Sequence, residues 1–249
     1  GSTNDLLERL AASLATQRRC LADAGPKFKT PLAGLRMQAD MALRAQDTEE
    51  VRRCLQQITR SSVRATHTVN QLLSLARAET TGRALPSEPV DLGDLATEVI
   101  ADSFPLAQDK RIDLGYEGPD RIPESCRLDG NPTLLQELVR NLVDNAIHYT
   151  PAGGVVTVRV LLDGDSGGQQ LEVEDNGPGI PEAERELVFQ PFYRVLGSNV
   201  DGSGLGLAIV SEVAQQYRAQ VELADARPEQ ATRRGLKVTV RFPPRQRAE

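Results

Sequence analysis

The sequence has no tryptophan, only 4% aromatic residues, two histidines and three cysteines among its 249 residues. Cys20, Cys54 and Cys126 are odd in number, scattered and without metal-ligand spacing. They suit thiols in a reducing compartment rather than a disulfide framework. No apolar run approaches the roughly 18 residues that suggest a membrane span. Lys and Arg number 29 against 35 Asp and Glu, and the net charge of -6 leaves no basic footprint for nucleic acid as the main partner. Any chemistry that needs an imidazole must use His67 or His148.

What is present is ordinary for a globular protein: 39% hydrophobic and 26% charged residues, in a chain long enough for two domains. Gly1-Ser2 reads as a cleavage scar, so the chain is expected to be cut from a longer, membrane-anchored protein. Leu6, Leu7, Leu10, Leu14 and Leu21 give a helical period over 3–24, which Gly25 and Pro26 interrupt. The period resumes through Leu32, Leu35, Ala39, Ala42 and Leu43. After the polar stretch 46–50, Val51, Leu55, Ile58, Ser62, Ala65, Val69, Leu72, Leu73 and Ala76 mark a second long stripe. Asp47 followed by Glu50 suits the start of that helix.

Two helices on so short a turn lie antiparallel. A lone hairpin cannot bury a stripe on both, so it is either a plain structural hairpin or half of a dimeric four-helix bundle. The expected domains are therefore a hairpin over 1–82, a turn-rich linker over 83–90 and a second domain over 91–245. In the second domain the pattern predicts helices at 91–108, 131–148 and 204–217, and strands near 111–116, 154–162, 170–175, 219–225 and 235–242. The fold class is thus an antiparallel helical hairpin followed by an α/β sandwich.

Three boxes carry the chemistry. Asp175-Asn176-Gly177-Pro178-Gly179-Ile180 ends a strand with a carboxylate, and Gly177 and Gly179 let the backbone turn sharply beside a flat ligand. Alone, this stretch serves equally as a hairpin turn. Asn141 and Asn145 are four apart on one helical face, which Glu137 extends by a turn. Oxygen donors on one stripe suit Mg²⁺, or they form a solvated polar face. Gly202-Ser203-Gly204-Leu205-Gly206 opens an apolar helix, whose N-terminal amides and dipole favour phosphate.

In this order over 137–207, the boxes resemble the nucleotide pocket of the histidine-kinase, gyrase and Hsp90 ATPase superfamily. The resemblance implies that Asp175 reads the adenine amine, Asn141 with Glu137 holds the metal and Asn145 contacts phosphate. It also implies ATP and Mg²⁺ as cofactors and a mobile lid over 195–201. Phe189-Gln190-Pro191-Phe192-Tyr193-Arg194 resembles the phenylalanine box beside such a lid, with Arg194 a γ-phosphate contact. His148 and Tyr149 occupy positions where related kinases carry a basic residue and an aromatic.

Lys29-Thr30-Pro31-Leu32 is similar to the phosphoacceptor helix of bacterial sensor histidine kinases, and hairpin, linker and ATPase box order fit that family along nearly the whole chain. The family pattern is His, an acid or amide, an apolar residue, a basic residue, Thr, Pro, Leu. Here Pro26 stands at the nucleophile and Lys27 at the acid. Proline carries no nucleophile and lysine cannot serve as the neighbouring general base, so the usual in-cis phosphorylation is chemically excluded. Pro26 instead suits the first turn of a new helix, with a break near Gly25. With the turn near 47, His67 is expected at nearly the height of Pro26 on the other helix, either as a polar bundle residue or as a substitute acceptor.

The resemblance implies a homodimer through the hairpin, a response-regulator receiver domain as partner, and residence as the cytoplasmic portion of a bacterial inner-membrane protein. Two functions compete: a histidine kinase that has lost its acceptor, and a pseudokinase or phosphatase scaffold. In the second, Thr30 takes the position that phosphatase-competent relatives use to orient a water. A gyrase- or mismatch-repair-type ATPase fits less well, because those families lack a hairpin carrying Thr-Pro-Leu.

Overall fold

The computed structural model describes residues 33–45, 47–59, 61–62, 69, 87–162, 168–195, 203–230 and 234–244. The chain forms two compact units, Gly1–Glu79 and Thr80–Glu249. Pro26, Lys27, Thr30, His67 and Gly202 lie outside the described residues.

In the first unit, helix α1 runs over 33–44 and helix α2 over 48–59, continuing at 61–62. Asp47 Oδ1 accepts the Glu49 N–H at 3.2 Å, the side-chain cap that its place before the apolar stripe predicts. Cys54 is buried, whereas Met37, Met41, Leu43 and the stripe residue Leu55 are exposed, Leu43 at 85%. Within one chain these two described helices thus leave large apolar side chains in water.

The second unit sets three helices, α3 (Leu92–Asp109), α4 (Pro132–Tyr149) and α5 (Gly206–Gln216), on one face of a five-stranded sheet. Its strands are β2 (Asp113–Glu117), β4 (Val155–Leu162), β5 (Gln169–Asp175), β6 (Gln220–Ala224) and β7 (Lys237–Phe242), in the order β2-β4-β5-β7-β6. Only β2 and β4 are parallel. A separate pair joins β1 (Glu88–Val90) to β3 (Leu128–Gly130), with Glu88 opposite Gly130.

Strand alternation divides the sheet into two surfaces. Val156, Val158 and Val160 pair with Asp175, Val173 and Leu171, and the last two pair in turn with Val238 and Val240. All are buried, forming with Leu138, Leu142, Ile209 and Val213 the core between sheet and helices. Asp175 is therefore the one carboxylate in an apolar row. The other face carries a charge lattice: Arg159 bonds Glu117 at 2.5 Å and Glu174 at 2.6 Å, and Arg241 bonds Glu222 at 2.5 Å.

Three of the differences from the sequence expectation have a plain physical reason. Glu88–Val90, expected as linker, form a strand, because Pro89 is tolerated in a two-stranded edge and the pairing partner lies far along the chain. Helix α3 continues to Asp109, and the chain turns through Arg111 at φ 54°, so β2 starts later. Helix α5 begins at Gly206 rather than 204 because Gly204 adopts φ +73°. Among the described residues no helix is long and apolar enough to cross a membrane.

Candidate nucleotide site

Asp175 closes β5 with only 6% of its surface exposed. Its Oδ1 accepts the N–H of Gly177 at 2.8 Å and that of Leu236 at 3.3 Å. Among the described residues Oδ2 accepts no donor. Burial pushes the carboxyl up to about 6; the two backbone donors pull it down and neighbouring Glu174 raises it. A carboxylate in an apolar row with one oxygen open is poised to meet a hydrogen-bond donor of a ligand.

The loop beyond Asp175 is built by close backbone approach. A Cβ on Gly177 would lie 2.9 Å from Asp175 Oδ1 and 3.0 Å from the Tyr149 carbonyl. Gly179, at φ +77°, would bring one within 2.7 Å of the Gly235 carbonyl. Gly235 in turn faces the Asp175 carbonyl with no room for a side chain, and its N–H donates to Gly177 O at 3.1 Å. Asn176 Oδ1 accepts the Val155 N–H at 2.9 Å, holding the loop to the start of β4.

Helix α4 supplies the polar stripe. Asn131 caps it by accepting the Leu134 N–H at 3.1 Å, and Pro132 suits its first turn. Leu138, Leu142 and Ala146 bury one side, while Glu137 and Asn145 are half-buried and Asn141 is buried. Asn141 Nδ2 donates to the Glu137 carbonyl at 2.8 Å, which orients the amide. At the other end Lys110 Nζ donates to the carbonyls of Ile147 and His148 at 2.7 and 2.9 Å, a cationic cap on the helix terminus. Burial lowers the Lys110 pKa.

Helix α5 starts against α4. A Cβ on Gly206 would lie 2.7 Å from Asn145 Nδ2. Its N-cap, Leu205, makes no side-chain cap, which leaves first-turn amides for an anion. The phenylalanine box closes on the same turn: Phe192 N donates to Gly204 O at 2.6 Å, and a Cβ on Gly204 would lie 2.7 Å from Tyr193 O. Tyr193 donates its hydroxyl to Glu184 at 2.8 Å. Through these contacts Asp175, Gly177, Gly179, Tyr149, Asn145, Gly204, Leu205 and Gly206 are brought together. Arg194 follows Tyr193 and is half-buried.

A model of the histidine kinase-, DNA gyrase B- and HSP90-like ATPases matches residues 130–246, and one of the His kinase A phospho-acceptor domain matches residues 16–81. The solved mycobacterial sensor histidine kinase MprB is 32% identical, with a TM-score of 0.53, over 64% of this chain and 98% of that one. The chain belongs to the sensor histidine kinases. Sensor protein kinase PmrB of Pseudomonas aeruginosa is 37% identical over 241 residues, 96% of this chain and 48% of PmrB. The chain thus spans about half the length of the curated relatives it matches. Full-length ShkA in complex with AMPPNP superposes with a TM-score of 0.65 at 25% identity, covering 92% of this chain and 46% of that chain.

Two features of the site escape sequence reading. The Leu236 N–H is a backbone donor, and any residue but proline could supply it. Gly235 leaves a trace, since a glycine opening a strand run marks close backbone approach.

Proposed function

We propose that this chain is the cytoplasmic catalytic region of a bacterial two-component sensor kinase. In this reading it binds Mg·ATP between α4, the Asp175 loop and α5, and Pro26 abolishes the usual phosphoacceptor. The observation that carries the reading is Asp175: buried, with both donors on Oδ1 and Oδ2 facing no donor among the described residues. The exocyclic amine of adenine supplies the missing N–H, and Gly177 and Gly179 let the loop turn tightly beside the carboxylate. The α5 amides and Asn145 suit the phosphates, with His148, Tyr149 and Arg194 alongside.

The α4 stripe fits Mg²⁺ in kind, since Glu137 and Asn141 offer the hard oxygen donors it requires. When bound, Mg²⁺ offsets phosphate charge. The chain's own part is to bury the base, seat the anion at the α5 N-terminus and hold the donors on one helix. Proline at position 26 then offers the bound γ-phosphate no imidazole.

Pro26 together with Lys27 favours a second reading, a pseudokinase or phosphatase scaffold that docks a response regulator and uses Thr30 to orient water. Either way a homodimer through the hairpin is supported by exposed Met37, Met41, Leu43 and Leu55. Radiolabelled γ-phosphate ATP separates the readings when incubated with the chain alone, with a His-bearing homologue and with a receiver domain. Label on this chain means autokinase activity at another residue, and label only on a partner means a trans kinase. Loss of label from a phosphorylated receiver means a phosphatase. Absence of ATP binding by calorimetry would sink both.

A further inference from the structure

We infer that Asp225 is a positioning residue for the nucleotide site: its carboxylate, shared between Arg185 and Arg234, clamps the Asp175 loop to the 234–236 segment. The inference rests on the reading of Asp175 as the base-reading carboxylate. Asp225 follows β6 with a side chain 16% exposed, and its ion-pair partners among the described residues are Arg185 and Arg234.

Its two oxygens go separate ways. Oδ1 accepts Arg185 Nη2, and Oδ2 accepts Arg234 Nη1 at 3.3 Å. Arg185 also donates Nε to the carbonyl of Ile180 at 3.3 Å, the last residue of the Asp175 loop. Arg234 precedes Gly235, which donates its N–H to Gly177 O at 3.1 Å, and then Leu236, which donates to Asp175 Oδ1. Its own carbonyl accepts the Arg227 N–H at 2.6 Å. The links close a ring from Ile180 through Arg185, Asp225 and Arg234 back to Gly177 and Asp175.

An isolated exposed ion pair has little worth, and the Arg234 arm, 54% exposed, would fall in that class by itself. The Arg185 arm is 23% exposed, and both arms end on backbone that flanks Asp175. Opening the clamp therefore loosens Leu236 from Asp175 and widens the gap between Gly179 and Gly235 that no side chain can fill.

The test uses the whole chain in its wild-type, Asp225→Ala, Asp225→Glu, Arg185→Ala and Asp175→Asn forms. Amide hydrogen exchange at Gly235 and Leu236 is read without nucleotide. Dissociation constants are measured for ATP and for inosine triphosphate, whose 6-oxo group cannot donate. Asp225→Ala and Arg185→Ala are expected to speed exchange at Leu236 and weaken ATP about tenfold, with a smaller effect on inosine triphosphate. Asp225→Glu restores most of the loss. Unchanged Leu236 exchange, or an equal loss for both nucleotides, overturns the clamp. A wild type that binds the two nucleotides equally, or an Asp175→Asn variant that keeps ATP selectivity, overturns the nucleotide reading instead.

Discussion

Asp175 and Leu236 exchange two hydrogen bonds at the end of the sheet: the Asp175 N–H donates to Leu236 O at 2.9 Å, and the Leu236 N–H donates to Asp175 Oδ1 at 3.3 Å. The main-chain bond extends the β5–β7 ladder one step past its last register pair, Glu174 with Lys237. The side-chain bond then turns the carboxylate back onto the same partner. Both direct donors to the acid are thus backbone N–H groups, those of Gly177 and Leu236.

Replacing Asp175 by Asn is expected to stabilise the nucleotide-free chain at neutral pH. The folded-state pKa of about 6 lies above the ordinary 3.8, so the ionised form is disfavoured by folding. The stability this group contributes is fully present below about pH 4 and is lost as pH rises through 6. The upper bound on the gain is about 3 kcal/mol at pH 8, vanishing near pH 4. Urea titrations of both forms at the two pH values check it, and a less stable variant at pH 8 would contradict it.

ATP affinity should fall as the solution is acidified through pH 6, because a protonated carboxyl must release its proton to accept the adenine amine. The slope approaches tenfold per pH unit well below that value. Calorimetric titrations between pH 5 and 8 measure it, with Asp175→Asn expected to lose the dependence.

Gly206→Ala should separate binding from stability. A methyl there meets the Asn145 amide, a flexible group, at 2.7 Å, and alanine is the better helix former. The melting temperature is expected to move by only a few degrees while ATP affinity drops about tenfold. An unaltered dissociation constant would remove Asn145 from the site.

Gly235→Ala should be costly in both respects. The residue has φ +64° and faces the Asp175 carbonyl with no space for a Cβ. Strain plus overlap is expected to cost more than about 2 kcal/mol, read as a lowered urea midpoint, and to weaken ATP.

Asp91→Ala tests the junction that opens the second unit. Its Oδ1 accepts the N–H of Gly93 and Asp94 and its Oδ2 that of Ile122, beside Arg127 at 3.8 Å. Losing this buried cap should cost about 2 kcal/mol or more by urea unfolding and expose α3 amides to exchange.

The site's legibility followed the range of the interactions that build it. Asn141 and Asn145 could be placed on one face because a helix repeats within four residues. The Gly204 turn could be placed because its glycines announce it. Period alone starts helix α5 two residues early, since it cannot see that Gly204 has φ +73°. The β1–β3 pair and the Leu236 donor were invisible because each depends on backbone meeting backbone across long sequence separation. The Asp225 clamp hides for a related reason: arginines at 185 and 234 look like surface charge until the fold joins them.

The pairing of β1 with β3 also has a mechanical meaning. Glu88 is in register with Gly130, and the next residue, Asn131, caps α4, with its N–H held by the Tyr217 hydroxyl at 2.9 Å. The strand that enters the second unit is therefore geared to the helix bearing Glu137, Asn141 and Asn145 without a slack loop between them. A pull or twist along residues 88–90 would reach that helix as displacement before a flexible segment could absorb it.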